Sequence, residues 1–276
     1  MRLFIVRSLV WLGLIVACSF VFCVPESKGY PVKTITLYSY NSIALRGSID
    51  GDNASRFINQ LARNTENTVI VYIDSSGGSV GAGMNIIDAI KSSGKRVICI
   101  ANTAMSMSFS IFQSCTVRLV TPHAMLMQHQ GALRVSGDTN KAISEFQVML
   151  KTFDECDRMD AEKLKMPLRV FQNKIKDDWW LFGPEIVDSG AADAIVQVRC
   201  SKELSDTNDI IANSFVFSIV KIVYSSCPLV SEPLSVNIVG KEGSNPSDVK
   251  RELGDILGRL KSRQTPYSST TFPKTH

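Results

Sequence analysis

Apolar and polar positions recur with two different periods along the chain, and the switches between them mark out strand–helix units. "KTITLYSY" (33–40) and "SIALRGSI" (42–49) alternate every second residue, as half-buried strands do. In the next stretch, "DGDNASRFINQLARNTEN", Ala54, Phe57, Ile58 and Leu61 fall on one helical face. "TVIVYID" (68–74) is an unbroken run rich in β-branched residues, the pattern of a strand buried on both faces of a parallel sheet. A turn over "SSGGSVGAG" and a helix through "MNIIDAIKSSG" follow, with Gly94 as its stop. "RVICIA" then predicts a strand, "TAMSMSFSIFQSC" (103–115) a helix, and "VRLV" and "AMLMQHQ" two strands. A long polar helix follows from about Thr139 to Lys165. Pro184 and Gly190 bracket a short helix, and "ADAIVQV" closes as a strand.

Repeated strand–helix alternation predicts an α/β fold, a largely parallel sheet flanked by helices, with sites forming at the carboxyl ends of strands. Past Cys200 the composition changes. "SFVFSIVKIVYSS" and "LSVNIV" read as strands, "NPSDVKRELGDILGRLKSR" as an amphipathic helix capped by Ser247, and the last residues as a disordered tail. The expected organisation is an N-terminal segment over 1–24, a main domain over 30–200, an extension over 201–262 and a tail over 263–276. No internal repeat is visible.

Composition narrows the classes. The 276 residues are 45% hydrophobic and 20% charged, enough to bury a substantial core. Thirty Lys+Arg against 26 Asp+Glu leave a formal charge of +4 with no basic cluster interleaved with aromatics, which argues against nucleic acid as a partner. Arg2 and Arg7 precede an almost wholly apolar stretch, Leu9 to Val24, and "PESKGYP" then turns polar, the layout of a secretory signal. That stretch is long for a signal and short of the roughly 20 residues that span a bilayer. Cleavage, retention as an anchor, and lipidation at Cys18, where "IVAC" resembles a lipoprotein box, all fit the expectation of an exported, periplasmic or membrane-associated protein.

Cleavage beyond Cys23 would leave Cys99, Cys115, Cys156, Cys200 and Cys227, an odd set, so at least one is free or intermolecular. Cys200 and Cys227 are candidates to pair. No CxxC or Cys/His spacing suggests zinc, and no metal or cofactor is expected.

The candidate chemistry lies at three strand ends: "SSGG" after "TVIVYID", the Ser106 region after "RVICIA", and His129 at the end of "AMLMQHQ". Acyl transfer needs a nucleophile, a base, a group that orients the base, and donors for the oxyanion. Of His123 and His129, only His129 sits at the mouth of a buried strand, where a base meets a helix N-terminus. Taken singly, each residue also has an ordinary structural role. Ser106 can be a helix N-cap, His129 a hydrogen-bonded core histidine, Asp178 a cap beside Trp179, and Gly77-Gly78 a strand-to-helix turn.

The blocks "YIDSSGGSVGAGMNIIDAI", "TAMSMSFSIF", "RLVTPHAMLMQHQ" and "DDWWLFGPEIVDSGAADAI" resemble, in order and near spacing, those of the Clp (caseinolytic) peptidase family over about Ile43 to Val198. That resemblance implies a crotonase-like α/β fold, a self-compartmentalising serine peptidase acting on polypeptide, and homo-oligomeric rings. By position it implies Ser106 as nucleophile, His129 as base and Asp178 as orienting acid, with the amides of Gly78 and Met107 as oxyanion donors. Ser76 stands where the family usually has Pro, Ser108 where it has a small residue, and Gly131 where Pro commonly follows His-Gln. Export separates the chain from the cytosolic ATPases that feed family members. No ATPase partner is therefore expected, and the chain holds no GxxxxGK(S/T) of its own. Three other readings stand beside this one: a signal-peptide-peptidase-like Ser-Lys protease, a catalytically silent binding or assembly module, and crotonase-like acyl-CoA chemistry.

Overall fold

A computed structural model describes residues 32–133, 135–214, 218–230, 234–243, 245–252 and 254. The N-terminal segment, its Cys18 and the tail over 263–276 lie outside the described residues. Seven strands form the main sheet: β1 (Lys33–Leu37), β2 (Ser42–Ile49), β3 (Thr68–Gly78), β4 (Arg96–Met105), β5 (Val117–Gln128), β6 (Trp179–Phe182) and β7 (Ala194–Cys200). The order is β1-β7-β5-β4-β3-β2, every neighbour on that path is parallel, and β6 alone runs antiparallel, against β5.

Three helices follow strands as the periodicity predicts: α1 (Gly51–Arg63), α2 (Val80–Ser92) and α3 (Met107–Gln113). Asp50 caps α1 by accepting from the Asn53 amide, and Ala54, Phe57 and Leu61 turn inward. In α3 all seven residues are buried, and Phe109, Ile111 and Phe112 are wholly so. A helix buried on every side belongs in the core, and its polar Ser108, Ser110 and Gln113 are each hydrogen-bonded there. The run 68–74 is buried on both faces: Val69, Val71 and Ile73 are fully covered, while Ile70 and Tyr72 join Leu37, Ile100, Val196 and Leu204 in a second cluster.

Several expectations change. The strand at 68–74 continues through "SSGG" to Gly78, because β2 pairs with it that far and β4 as far as Ser75: Ile49 stands opposite Gly78 and Ala104 opposite Ser75. "VRLV" and "AMLMQHQ" belong to one strand, β5, whose register against β4 shifts between Ala101 and Thr103. After α4 (Thr139–Lys163) come a further helix, α5 (Leu168–Ile175), and the four-residue β6, neither of which the periodicity revealed. Beyond the short α6 (Glu185–Asp188) and α7 (Lys202–Asp206), "SFVFSIVKIVYSS" spans parts of two strands, β8 (Asn208–Ser214) and β9 (Ser218–Ser225). With β10 (Ser235–Gly240) they make a separate antiparallel sheet in the order β10-β9-β8. The last described helical turns start at Asn245, not Ser247, since the Asn245 side chain accepts from the Ser247 amide.

Among the described residues two disulfides cross-link the chain, Cys200–Cys227 and Cys99–Cys115, and Cys156 is free and buried. The first is the pair that the sequence suggests. The second was not expected, and it joins β4 to Cys115, two residues past α3, enclosing Ser106 within its loop.

Candidate active site

Ser106 lies between the end of β4 and the first turn of α3. Its backbone is in the left-handed region (φ 54°), an uncommon conformation for a residue with a side chain and one found where surrounding structure enforces it. One constraint is direct: the Ser106 amide donates to the Met127 carbonyl of β5 at 2.8 Å. Although Ser106 occupies the N-cap position, its hydroxyl makes no capping bond. Ser106 Oγ lies instead 2.7 Å from His129 Nε2.

His129 is the first residue beyond β5, and both partners are half-buried. The Met107 amide, at the first position of α3, is among the donors that a helix start leaves free for negative charge.

Asp178 arrives at the same edge by another route. Gln128 of β5 pairs with Trp179 of β6, so His129 and Asp178 are the next residues on the two strands. Asp178 has positive φ (54°) and is exposed. No hydrogen bond joins its carboxylate to the imidazole among the described residues. Beside it, Trp179 packs edge-on against Phe171 and tilted against Phe109 of α3, with Lys174 Nζ 5.0 Å from its ring centroid. His123 is exposed and stacks on Phe182, away from the serine.

The glycine pair has an architectural reason. A Cβ on Gly77 (φ 91°) would lie 2.5 Å from the Met105 carbonyl oxygen, 2.8 Å from Ser106 Cβ and 3.0 Å from the Met107 nitrogen. A Cβ on Gly78 would collide with the backbone of Ile49. Gly77 therefore sets the spacing between β3 and the nucleophile turn, while Gly78 seats β3 against β2.

Ser108, the near neighbour of the candidate nucleophile, is fully buried and donates to Ser75 Oγ at 2.6 Å; Ser75 in turn donates to the Gly47 carbonyl. That chain of hydroxyls ties α3 to β3 and β2.

A second buried polar group adjoins the site and was not singled out from the sequence. Asp160 of α4 is 1% exposed and accepts from Ser110 Oγ at 2.7 Å and from Gln128 Nε2 at 2.9 Å. Burial pushes its carboxyl up to about 7, against the bonds from Ser110 and Gln128 and the charge of Lys91; nearby Asp157 adds to the rise.

The folded protein thus disfavours the charged form, so stability from this group is full below the ordinary carboxyl range and declines as pH rises through about 7. Between pH 4 and 7 the unfolding free energy should fall by up to ~1.4 kcal/mol per pH unit on this account. In Asp160→Asn that decline should be absent. Urea midpoints at several pH values compare the two, and parallel profiles would show that Asp160 is not the group responsible.

No group of three or more His, Cys, Asp or Glu side chains suited to a metal ion occurs among the described residues. The sequence model of the Clp protease family matches residues 29–199, a span that includes Gly77, Gly78, Ser106, His129 and Asp178. Members of that family act on polypeptide substrates and oligomerise. With the match covering more than half of the chain and a mostly parallel α/β sheet beneath the site, the chain belongs to the Clp protease family and is a peptidase of ClpP type.

Proposed function

We propose that the chain is an exported serine endopeptidase that cleaves unfolded polypeptide through an acyl-enzyme, without an ATPase. The observation that carries this reading is the 2.7 Å contact of Ser106 Oγ with His129 Nε2 at the start of α3. His129, with Nε2 unprotonated, takes the Ser106 proton as Oγ attacks the scissile carbonyl. The amides of Gly78 and Met107 receive the developing oxyanion. Collapse expels the amine, which takes the proton back from His129. Water activated by the same imidazole then hydrolyses the ester.

Asp178 completes the triad as the group that orients the imidazole. Its place beside His129 at the paired ends of β5 and β6 supports the role, and we assign the carboxylate–imidazole bond to the assembled, substrate-loaded protein, since catalytic hydrogen bonds tighten there. Asp178→Asn should therefore lower turnover by about 10²- to 10⁴-fold. A variant within about threefold of the parent would leave Ser106 and His129 working as a dyad. Against a Ser-Lys mechanism stands the imidazole itself, which occupies the serine hydroxyl, while no lysine is bonded to Ser106 among the described residues.

Export rests on the charged and apolar pattern of residues 1–24, and the two disulfides suit an oxidising compartment. Assembly into rings is supported by the exposed Ile143, Phe146 and Leu150 of α4, whose spacing lines one helix face. The experiment is labelling of the assembled protein with a fluorophosphonate, followed by identification of the modified residue and assay of unfolded polypeptide without nucleotide. Adduct on Ser106 with turnover is expected. Adduct on another residue, or none, would overturn the reading.

A further inference from the structure

Three polar side chains from three elements meet in the core beside the site: Ser110 of α3, Gln128 of β5 and Asp160 of α4, exposed by only 3, 6 and 1%. Their bonds are mutually exclusive in sense. The Gln128 amide donates through Nε2 to Asp160 Oδ2 at 2.9 Å and to Ser110 Oγ at 3.0 Å, so its Oε1 faces the other way, where it accepts the His129 backbone N–H at 3.1 Å. A flipped amide would set its oxygen against Asp160 Oδ2 and its nitrogen against the His129 N–H, losing both of those bonds. Ser110 donates to Asp160 at 2.7 Å. The carboxylate therefore holds Gln128 in one orientation, and Gln128 holds the backbone of His129. Ser110, one helical turn beyond Ser106, anchors the nucleophile's helix to the same carboxylate.

Stability does not explain this arrangement, because well-packed apolar side chains in place of a buried ionisable group and its partners are often neutral or stabilising. What the network adds is a fixed relation between two segments, the turn carrying the alcohol and the strand end carrying the imidazole. Building on the Ser106–His129 reading above, we propose that Asp160 is a positioning residue for the peptidase, acting through Gln128 on His129 and through Ser110 on the helix of Ser106.

The test is the rate of fluorophosphonate labelling at Ser106, with kcat and KM on a peptide substrate, in the full chain. Asp160→Asn is expected to slow labelling and lower kcat by about 10- to 100-fold with KM little changed, as misplacement of a reacting group does. A second variant, Ser110→Ala with Gln128→Met and Asp160→Leu, removes all partners together. It is expected to fold with an unchanged or raised thermal midpoint and to be labelled as slowly as Asp160→Asn. In a His129→Ala background, Asp160→Asn should slow the residual labelling by clearly less than it does in the parent, because the part of its effect that passes through the imidazole is already lost and only the Ser110 arm remains.

Parent-like labelling of either folded variant, alongside a strong His129→Ala defect, would overturn the positioning role and leave the base assignment standing. An equal loss from Asp160→Asn with and without His129 would also overturn it, marking Asp160 as merely structural. Unchanged labelling of His129→Ala would overturn the base assignment and the positioning role together.

Discussion

Ser106→Ala should lower turnover of unfolded polypeptide by about 10⁴- to 10⁶-fold while leaving the thermal midpoint almost unmoved. The second half of that expectation follows from the geometry. Because the Ser106 hydroxyl makes no capping bond to α3, its removal costs the helix nothing that a cap would supply. Its one strong contact is with His129, which is half-buried and tolerates a water in its place. Ser108→Ala, two residues on, should behave in the opposite way. That hydroxyl is buried and donates to Ser75, which as an acceptor keeps only the bond from the Gly77 amide once Ser108 is cut back, so its loss should cost about 0.5–1.5 kcal/mol of stability while chemistry persists. Combining Ser106→Ala with His129→Ala should add little to the first loss, since the two act as one unit. Turnover and thermal unfolding measured side by side on the three variants check the separation. If Ser106→Ala turned over like the parent, no other serine in α3 is placed to replace it, and the nucleophile would have to be sought elsewhere.

The chemistry at this turn was more legible in the sequence than its support. Ser106 and His129 stand out because each follows a strongly apolar strand and because the order of the surrounding blocks is specific. Each strand presents its last residue at one edge of the sheet, so residues far apart in sequence arrive together. The Asp160 network was not legible for the same physical reason that makes it informative. Ser110 and Gln128 interrupt apolar runs, and such interruptions read as surface unless a partner is known. The partner sits 50 and 32 residues away on α4, whose charged pattern resembles that of a solvated helix. Helical periodicity carries no signal for a carboxylate that turns inward once in 25 residues.

Boundaries failed where tertiary pairing overrode local chemistry. "SSGG" has the composition of a turn, yet pairing with β2 as far as Gly78, and with β4 as far as Ser75, keeps it extended. The four residues of β6 are too few to show a period, and only their register against β5 brings Asp178 beside His129. Of the two disulfides, Cys200–Cys227 could be anticipated because both cysteines lie outside the main helical runs. Cys99 and Cys115 are embedded in apolar segments and read as core.

Gly77→Ala is the substitution expected to do the most damage without touching a reacting group. The added methyl would sit within 3.0 Å of three atoms, the Met105 carbonyl oxygen, Ser106 Cβ and the Met107 nitrogen, two of them backbone. None is the free end of a side chain that can swing aside, and the positive φ of 91° is itself unfavourable for alanine. Relief requires β3 to move away from the β4–α3 turn by the better part of an ångström. That motion carries Ser106 off His129, and because the Ser106 amide is bonded to Met127, it also strains the β5 edge on which the imidazole sits. A displacement of that size is worth about 10²-fold in rate, and the strain should cost about 1–3 kcal/mol in stability. Gly78→Ala meets Ile49 instead, so its cost should fall on the seating of β2 and weigh more on stability than on the Ser106–His129 contact. Gly81→Ala, on α2, has an open position for its methyl and should be close to neutral or slightly stabilising. Labelling rates at Ser106 for the three alanine variants, normalised to the folded fraction, should rank Gly77→Ala slowest and Gly81→Ala level with the parent. A Gly77→Ala protein that folds and is labelled at the parent rate would mean that the nucleophile turn does not depend on the close approach of β3.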